Sequence, residues 1–173
     1  MDNFKVMCSE KEIQKRIREL AEEVDEDYKA KGKQSIVMIS VLKGAVFFSV
    51  DLMKRMELPV VYDTIQISNY VGTDDTQELK LKKDVDTNVE GKDVLLVEDI
   101  IDSGRTLNYL KQHLLEKGAS DVKIAVLMDK KDKRQFDVNV DYAGFVIPDK
   151  FVLGYGFDMD EKYRNLPYIG YIE

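Results

Sequence analysis

The chain has a single cysteine, Cys8, so it can form neither an internal disulfide nor a cysteine metal site. Its one histidine, His113, lies mid-helix in LKQHLLEK with no second histidine to share a metal, and it is given no role. The first twenty residues, MDNFKVMCSEKEIQKRIREL, lack an apolar stretch of signal-peptide character, and no run elsewhere is long enough for a membrane span. No repeat, low-complexity tract or Pro/Gly/Ser-rich linker divides the 173 residues, a length that suits one domain with a real core. Basic residues are outnumbered 26 to 33, and a net charge of −7 argues against non-specific nucleic-acid binding. GxxxxGK[ST] is missing, which disfavours a P-loop NTPase. These absences predict a cytoplasmic protein with no nucleic-acid or membrane partner.

The residues present alternate between two periods. Ser9-Glu10-Lys11-Glu12 reads as a capping box, after which Ile13, Ile17, Leu20, Ala21, Val24 and Tyr28 repeat at helical spacing until Gly32. Ser35–Leu42 (SIVMISVL) is a nearly continuous apolar run, as expected of a strand buried on both faces. Lys43-Gly44 interrupts it before a helical stretch, Ala45–Met56, and Val60–Ser68 reads as a strand. Asn69–Lys83 is polar and lacks clear periodicity apart from Leu79 and Leu81, which predicts a long, mobile loop over the active site. Asp93–Val97 and Val122–Met128 are further strands, separated by a helix from about Thr106 to Lys117. Such βαβ alternation predicts an α/β fold with a mainly parallel twisted sheet flanked by helices. From Phe136 onward the short aromatic and apolar pieces read as a small irregular layer that joins the N-terminal segment over the strand ends.

The most informative stretch is VLLVEDIIDSGRTL, Val94–Leu107. A buried strand delivers Glu98 and Asp99 at its carboxyl end, where open α/β sheets bind ligands. Asp102-Ser103-Gly104-Arg105-Thr106 then opens a helix whose N-terminus offers unpaired N–H groups to an anion. Gly104 allows close backbone approach, while Ser103 and Thr106 add hydroxyl donors, so the loop suits one phosphate. Glu98 and Asp99 suit sugar hydroxyls or a divalent cation, and Asp102 is free to exchange a proton with a bound base. Against this stands a plainer possibility, that Asp102 or Ser103 only caps the helix and the acidic pair is solvated. A phosphoacceptor receiver domain also ends a strand in an acidic pair. It would place that pair near its start, and it leaves the DSGRT loop unexplained.

VLLVEDIIDSGRTL closely resembles the phosphoribosyl-pyrophosphate motif of type I phosphoribosyltransferases. Leu42-Lys43-Gly44, Lys130 after VLMD, IPDKFVLGYGFD (Ile147–Asp158) and YRNLPYIG (Tyr163–Gly170) are similar to the hypoxanthine-guanine branch, in the right order over almost the whole chain. The resemblance implies a Rossmann-like core with a small hood from both termini, Mg²⁺ dependence, and transfer of phosphoribose from phosphoribosyl pyrophosphate to hypoxanthine or guanine. It implies that Glu98 and Asp99 hold the ribose hydroxyls directly or through metal, that Asp102 is the acid/base, and that Ser103, Gly104, Arg105 and Thr106 bind the 5′-phosphate. Lys43, Gly44 and Arg164 would take pyrophosphate, at a backbone position where the family often has a strained or cis peptide. Lys130, Phe151, Val152 and Asp158 would read the purine, with Asp158 also near a second metal. Taken without the family, Phe151 reads as core, while Lys130 and Arg164 read as solvated charges. Tyr155, Tyr163, Tyr168 and Tyr171 read as packing residues. A homodimer or homotetramer is implied by likeness alone. Bacterial members commonly carry Ser-Ser-Tyr-Gly at the mobile loop; here the segment is Ser68-Asn69-Tyr70-Val71-Gly72, with Tyr70 in place and Asn69 for serine. An RNA-binding transcription attenuator on the same fold is the main alternative, and it needs a basic surface that −7 does not favour.

Overall fold

The computed structural model describes residues 4–71 and 77–172, and the side chains of 69–71, 77 and 78 lie outside that description. Six strands form the main sheet in the order β4-β3-β2-β5-β6-β7: β2 Ile36–Leu42, β3 Val60–Val71, β4 Gln77–Lys83, β5 Asp93–Ile101, β6 Asp121–Asp129 and β7 Tyr142–Val146. All neighbouring pairs are parallel except β3 with β4. A second sheet of β1 Lys5–Cys8, β9 Ile169–Tyr171 and β8 Val152–Leu153 joins the two ends of the chain, as the expected hood does. The helices are α1 Glu10–Ala30, α2 Ala45–Met53 and α3 Arg105–Glu116.

The apolar run in β2 is explained by the two cores it serves. Ile36 and Met38 face a cluster built with α1 and α2, including Ile13, Ile17, Leu20 and Phe48. Val37, Ile39 and Val41 face the other cluster, with Leu107, Leu110 and Leu114 of α3. Each such side chain is completely or almost completely buried, a contribution of about 1.5–3 kcal/mol apiece before ordering costs. α1 begins where the capping box predicts: the Glu12 N–H donates to Ser9 Oγ at 3.4 Å, and the Ser9 N–H donates to Glu12 Oε2 at 2.8 Å.

Two expectations are corrected. Asn69–Lys83 is not an irregular loop from end to end: β3 continues to Val71 and β4 occupies Gln77–Lys83, paired antiparallel. Half-buried Leu79 and Leu81 alternate with exposed Lys80 and Lys82, a period of two that the density of charge conceals. Residues 72–76, including Gly72, lie outside the described residues. The tail from Phe136 is also more regular than expected, because β7 adds a sixth strand to the sheet, parallel to β6. Its Ala-Gly pair disguises the strand, yet a Cβ at Gly144 would sit 2.5 Å from the Leu127 carbonyl oxygen. Glycine is required there for β7 to approach.

Asp63 in β3 ties down the chain leaving β4. Its carboxylate accepts N–H bonds from Thr64 at 2.6 Å, Asp86 at 2.7 Å and Thr87 at 2.8 Å. Burial opposes the charge, but bonds from the backbone of Thr87, Thr64 and Asp86 outweigh it and hold the carboxyl at about 2. A lowered carboxylate contributes stability that is complete above its ordinary value of 3.8 and is lost as pH falls through about 2. Asp63→Asn should therefore cost about 2 kcal/mol at pH 7. The deficit in thermal denaturation should shrink as pH approaches 2; a deficit independent of pH would rule the charge out.

Candidate active site

From β2 the chain winds through α2 to β3, and from β5 it winds through α3 to β6, in opposite directions along the sheet. Neighbouring parallel strands that diverge in this way open a crevice at their carboxyl ends. β2 ends in Leu42-Lys43-Gly44, and β5 ends in Glu98-Asp99-Ile100-Ile101. The crevice holds an open cavity of about 280 Å³ lined by Glu98 through Leu107. The sequence placed its phosphate loop and acidic pair in this one stretch.

Glu98 and Asp99 are not solvated surface acids. They sit side by side, the Asp99 N–H donating to Glu98 Oε1 at 3.0 Å and the Ile100 N–H donating to Asp99 Oδ1 at 2.7 Å. Both keep part of their surface open to the crevice. Burial pushes the Glu98 carboxyl well above the usual carboxylate range, and the adjoining Asp99 charge pushes it further. Burial also raises Asp99, although the bond with Glu98, the Ile100 N–H and the Arg164 guanidinium pull the other way. The Arg164 charge only partly offsets what burial does to the pair.

The DSGRT segment turns directly into the N-terminus of α3 and lines the crevice from Asp102 to Thr106. Gly104 is the N-cap of α3 with φ of 85°, and no side-chain hydrogen bond caps it. That left-handed turn favours glycine. Ser103 is fixed on both sides: its carbonyl accepts from Gln135 and Phe136 N–H groups at 3.0 Å each, and its Oγ accepts from the Arg105 N–H at 3.3 Å. Arg134 supports the same loop, donating to the Asp102 carbonyl at 3.4 Å while pairing with Asp129 at 2.6 Å.

Asp102 and Lys130 meet at the end of this loop, with Lys130 Nζ 3.2 Å from Asp102 Oδ1. The lysine is buried at its base, where its N–H donates to the Ile101 carbonyl at 3.0 Å, and it also pairs with Asp149 at 3.3 Å. Asp102 remains half exposed. Phe151 is not core: the residue is 54% exposed, whereas its neighbour Val152 on β8 is buried. An exposed ring is available for stacking; a core ring is not.

The second cluster stands at the end of β2, where the Leu42–Lys43 peptide is cis. Gly44 is packed so closely that a Cβ would lie 1.8 Å from Asp99 Oδ2. Lys43 Nζ pairs with Glu161 Oε2 at 2.7 Å, and Arg164 pairs with Asp158 at 2.8 Å while donating to the Gly156 carbonyl at 2.6 Å. Asp158 thus joins Arg164, and among the described residues no three His, Cys, Asp or Glu side chains gather closely enough to hold a metal by themselves. Asn69 and Tyr70 lie on β3, with side chains outside the described residues. Sequence reasoning missed Asp149, Glu161 and Arg134. Arg134 and Glu161 sit in charged runs that contain Lys130 in one case and Asp158 and Arg164 in the other, and Asp149 stands two residues before Phe151, which was the available signal. Among the described residues no helix is long and apolar enough to cross a membrane.

Residues 9–162 match the phosphoribosyl transferase domain model. A bifunctional TilS/HprT protein of Listeria monocytogenes serotype 4b is 46% identical over 173 residues, covering 99% of this chain but 26% of the relative. The chain therefore spans about a quarter of the length of the first relatives it matches. A hypoxanthine-guanine phosphoribosyltransferase of Streptococcus thermophilus is 43% identical, covering 99% of this chain and 94% of that protein. The crystal structure of a hypoxanthine-guanine phosphoribosyltransferase from Bacillus anthracis superimposes with a TM-score of 0.90 at 41% identity, covering 99% of each chain. With its sequence and its fold agreeing, the chain belongs to the hypoxanthine-guanine branch of the type I phosphoribosyltransferase family.

Proposed function

We propose that the protein transfers the 5-phosphoribosyl group of phosphoribosyl pyrophosphate to hypoxanthine or guanine, forming IMP or GMP and pyrophosphate in purine salvage. The observation that carries this reading is the pairing of Asp102 with Lys130 beside the glycine-started N-terminus of α3, with the partly buried Glu98–Asp99 pair lining the same crevice. In the reaction the purine N9–C1 bond forms as the C1–oxygen bond to pyrophosphate breaks, and the purine gives up a proton. Asp102 takes that proton near N7. Ser103, Gly104, Arg105 and Thr106 hold the 5′-phosphate on the N-terminus of α3. Lys43 and Arg164 give positive charge to the leaving pyrophosphate, with the Gly44 backbone at close range, and Lys43 must exchange its Glu161 partner for substrate oxygens. Lys130 donates to O6 of the base, Phe151 stacks on its ring, and the Val152 backbone and Asp158 meet the purine edge.

Glu98 and Asp99 fit a Mg²⁺ site of the kind that uses one or two carboxylates with substrate oxygens and water. Their chemistry suits it, because a cation would favour the ionised forms that burial disfavours. When bound, the ion would neutralise phosphate charge and help hold the ribose hydroxyls. The carboxylates themselves stand ready to stabilise positive charge developing on the sugar ring. Glu98→Gln combined with Asp99→Asn should weaken calorimetric binding of phosphoribosyl pyrophosphate with Mg²⁺ roughly tenfold or more, the loss expected for charged hydrogen-bond partners. Binding of the purine alone should change little; equal loss of both ligands would make the pair structural. The reading as a whole is tested by supplying hypoxanthine, phosphoribosyl pyrophosphate and Mg²⁺ and following nucleotide formation.

A further inference from the structure

Three consecutive residues on the hood side of the crevice have left-handed backbone: Gly154 at φ 89°, Tyr155 at φ 51° and Gly156 at φ 100°. Glycine adopts this region freely, but a residue with an aromatic side chain does so only when its surroundings hold it there. Tyr155 is held by its hydroxyl. It is 5% exposed, and its O–H donates to Asp51 Oδ2 of α2 at 2.5 Å. The same oxygen accepts from Gln14 Nε2 at 2.8 Å, and Arg55 Nη1 donates to the Asp51 carbonyl at 2.8 Å. Gln14 of α1 therefore fixes that carboxylate, and Arg55 Nη1 stands 3.7 Å from its other oxygen.

The backbone beside Tyr155 touches the second charged cluster directly. Its N–H donates to the Leu166 carbonyl at 2.8 Å, and the Gly156 N–H donates to the Arg164 carbonyl at 3.0 Å. Arg164 Nη1 returns a bond to the Gly156 carbonyl at 2.6 Å. A Cβ on Gly156 would lie 2.3 Å from the Gly44 carbonyl oxygen, and Gly44 itself abuts Asp99. We infer that Tyr155 and Asp51 are a positioning pair for the pyrophosphate end of the site, locking the Gly154–Gly156 turn so that Gly44 and Arg164 keep their places. The pair rests on the functional reading above for the identity of the ligand. Neither residue needs to touch substrate; they act through the turn.

A positioning role predicts a selective loss. In Tyr155→Phe and in Asp51→Leu the KM for phosphoribosyl pyrophosphate should rise about 5–20-fold, the consequence of losing one hydrogen bond to a charged group. The KM for hypoxanthine should stay within about twofold, because Lys130 and Asp102 do not depend on this turn and only Asp158, paired with Arg164, would feel it. Asp51→Asn keeps an oxygen that accepts the tyrosine hydroxyl and should remain within about threefold of the wild type. Calorimetric binding of pyrophosphate with Mg²⁺ gives the same comparison without turnover, alongside melting temperatures to confirm folding. Unchanged binding in a folded Tyr155→Phe, or equal loss for purine and pyrophosphate, would overturn the inference. Wild-type protein that binds pyrophosphate but makes no nucleotide would contradict the functional reading while leaving this comparison intact. Wild-type protein that binds no pyrophosphate would overturn both.

Discussion

Asp102→Asn should fold normally and bind phosphoribosyl pyrophosphate, yet lose roughly 10²–10⁴-fold in turnover, the range for a positioned acid or base. The carboxylate stands half exposed at the mouth of the loop, and the buried Lys130 keeps Asp149 as an ion-pair partner, so the substitution leaves no buried charge unpaired. Ser103 is held by the Gln135 and Phe136 N–H groups, and Arg134 bonds the Asp102 backbone rather than its side chain. The phosphate cradle should therefore survive the change. Single-turnover kinetics with saturating substrates separates the chemical step from binding. Turnover near that of the wild type would remove Asp102 from the mechanism.

Adenine should be rejected by a factor approaching roughly 10⁴ relative to hypoxanthine, the discrimination available to a site built to hydrogen-bond one substrate group. Lys130 carries only donors, and it is buried, its backbone N–H bonding the Ile101 carbonyl and its ammonium pairing with Asp102 and Asp149. Opposite position 6 it pairs with a carbonyl oxygen. The 6-amino group of adenine would face the ammonium as donor against donor, at a cost of about 1–3 kcal/mol or more for groups left unpaired. Guanine shares the 6-oxo group and should react. Lys130→Ala should lower kcat/KM for both 6-oxopurines and narrow their advantage over adenine. If the alanine variant keeps the full ratio, selectivity comes from elsewhere in the site.

The parts of this molecule that could be read from its sequence are those in which neighbours in the chain are also neighbours in function. β5, the acidic pair and the DSGRT turn form one continuous segment, so their chemistry was visible together. The two-faced burial of β2 was likewise written in one apolar run. The β3–β4 pairing was obscured because Lys80, Lys82 and Lys83 give the strand the look of a solvated loop. β7 was obscured by its Ala-Gly pair, whose purpose appears only once Leu127 lies against it. Least legible were the bonds that span the fold. Lys43 and Glu161 are 118 positions apart, and Asp51 and Tyr155 are 104 apart. Nothing in a local charge run distinguishes such partners from ordinary surface residues.

The most direct measurement follows hypoxanthine, phosphoribosyl pyrophosphate and Mg²⁺ over time with the wild-type protein, quantifying nucleotide and pyrophosphate together. The expected result is IMP and pyrophosphate formed in equal amounts, with hypoxanthine consumed to match and adenine failing to compete. Pyrophosphate released without nucleotide, or neither product formed, would contradict phosphoribosyl transfer to a 6-oxopurine.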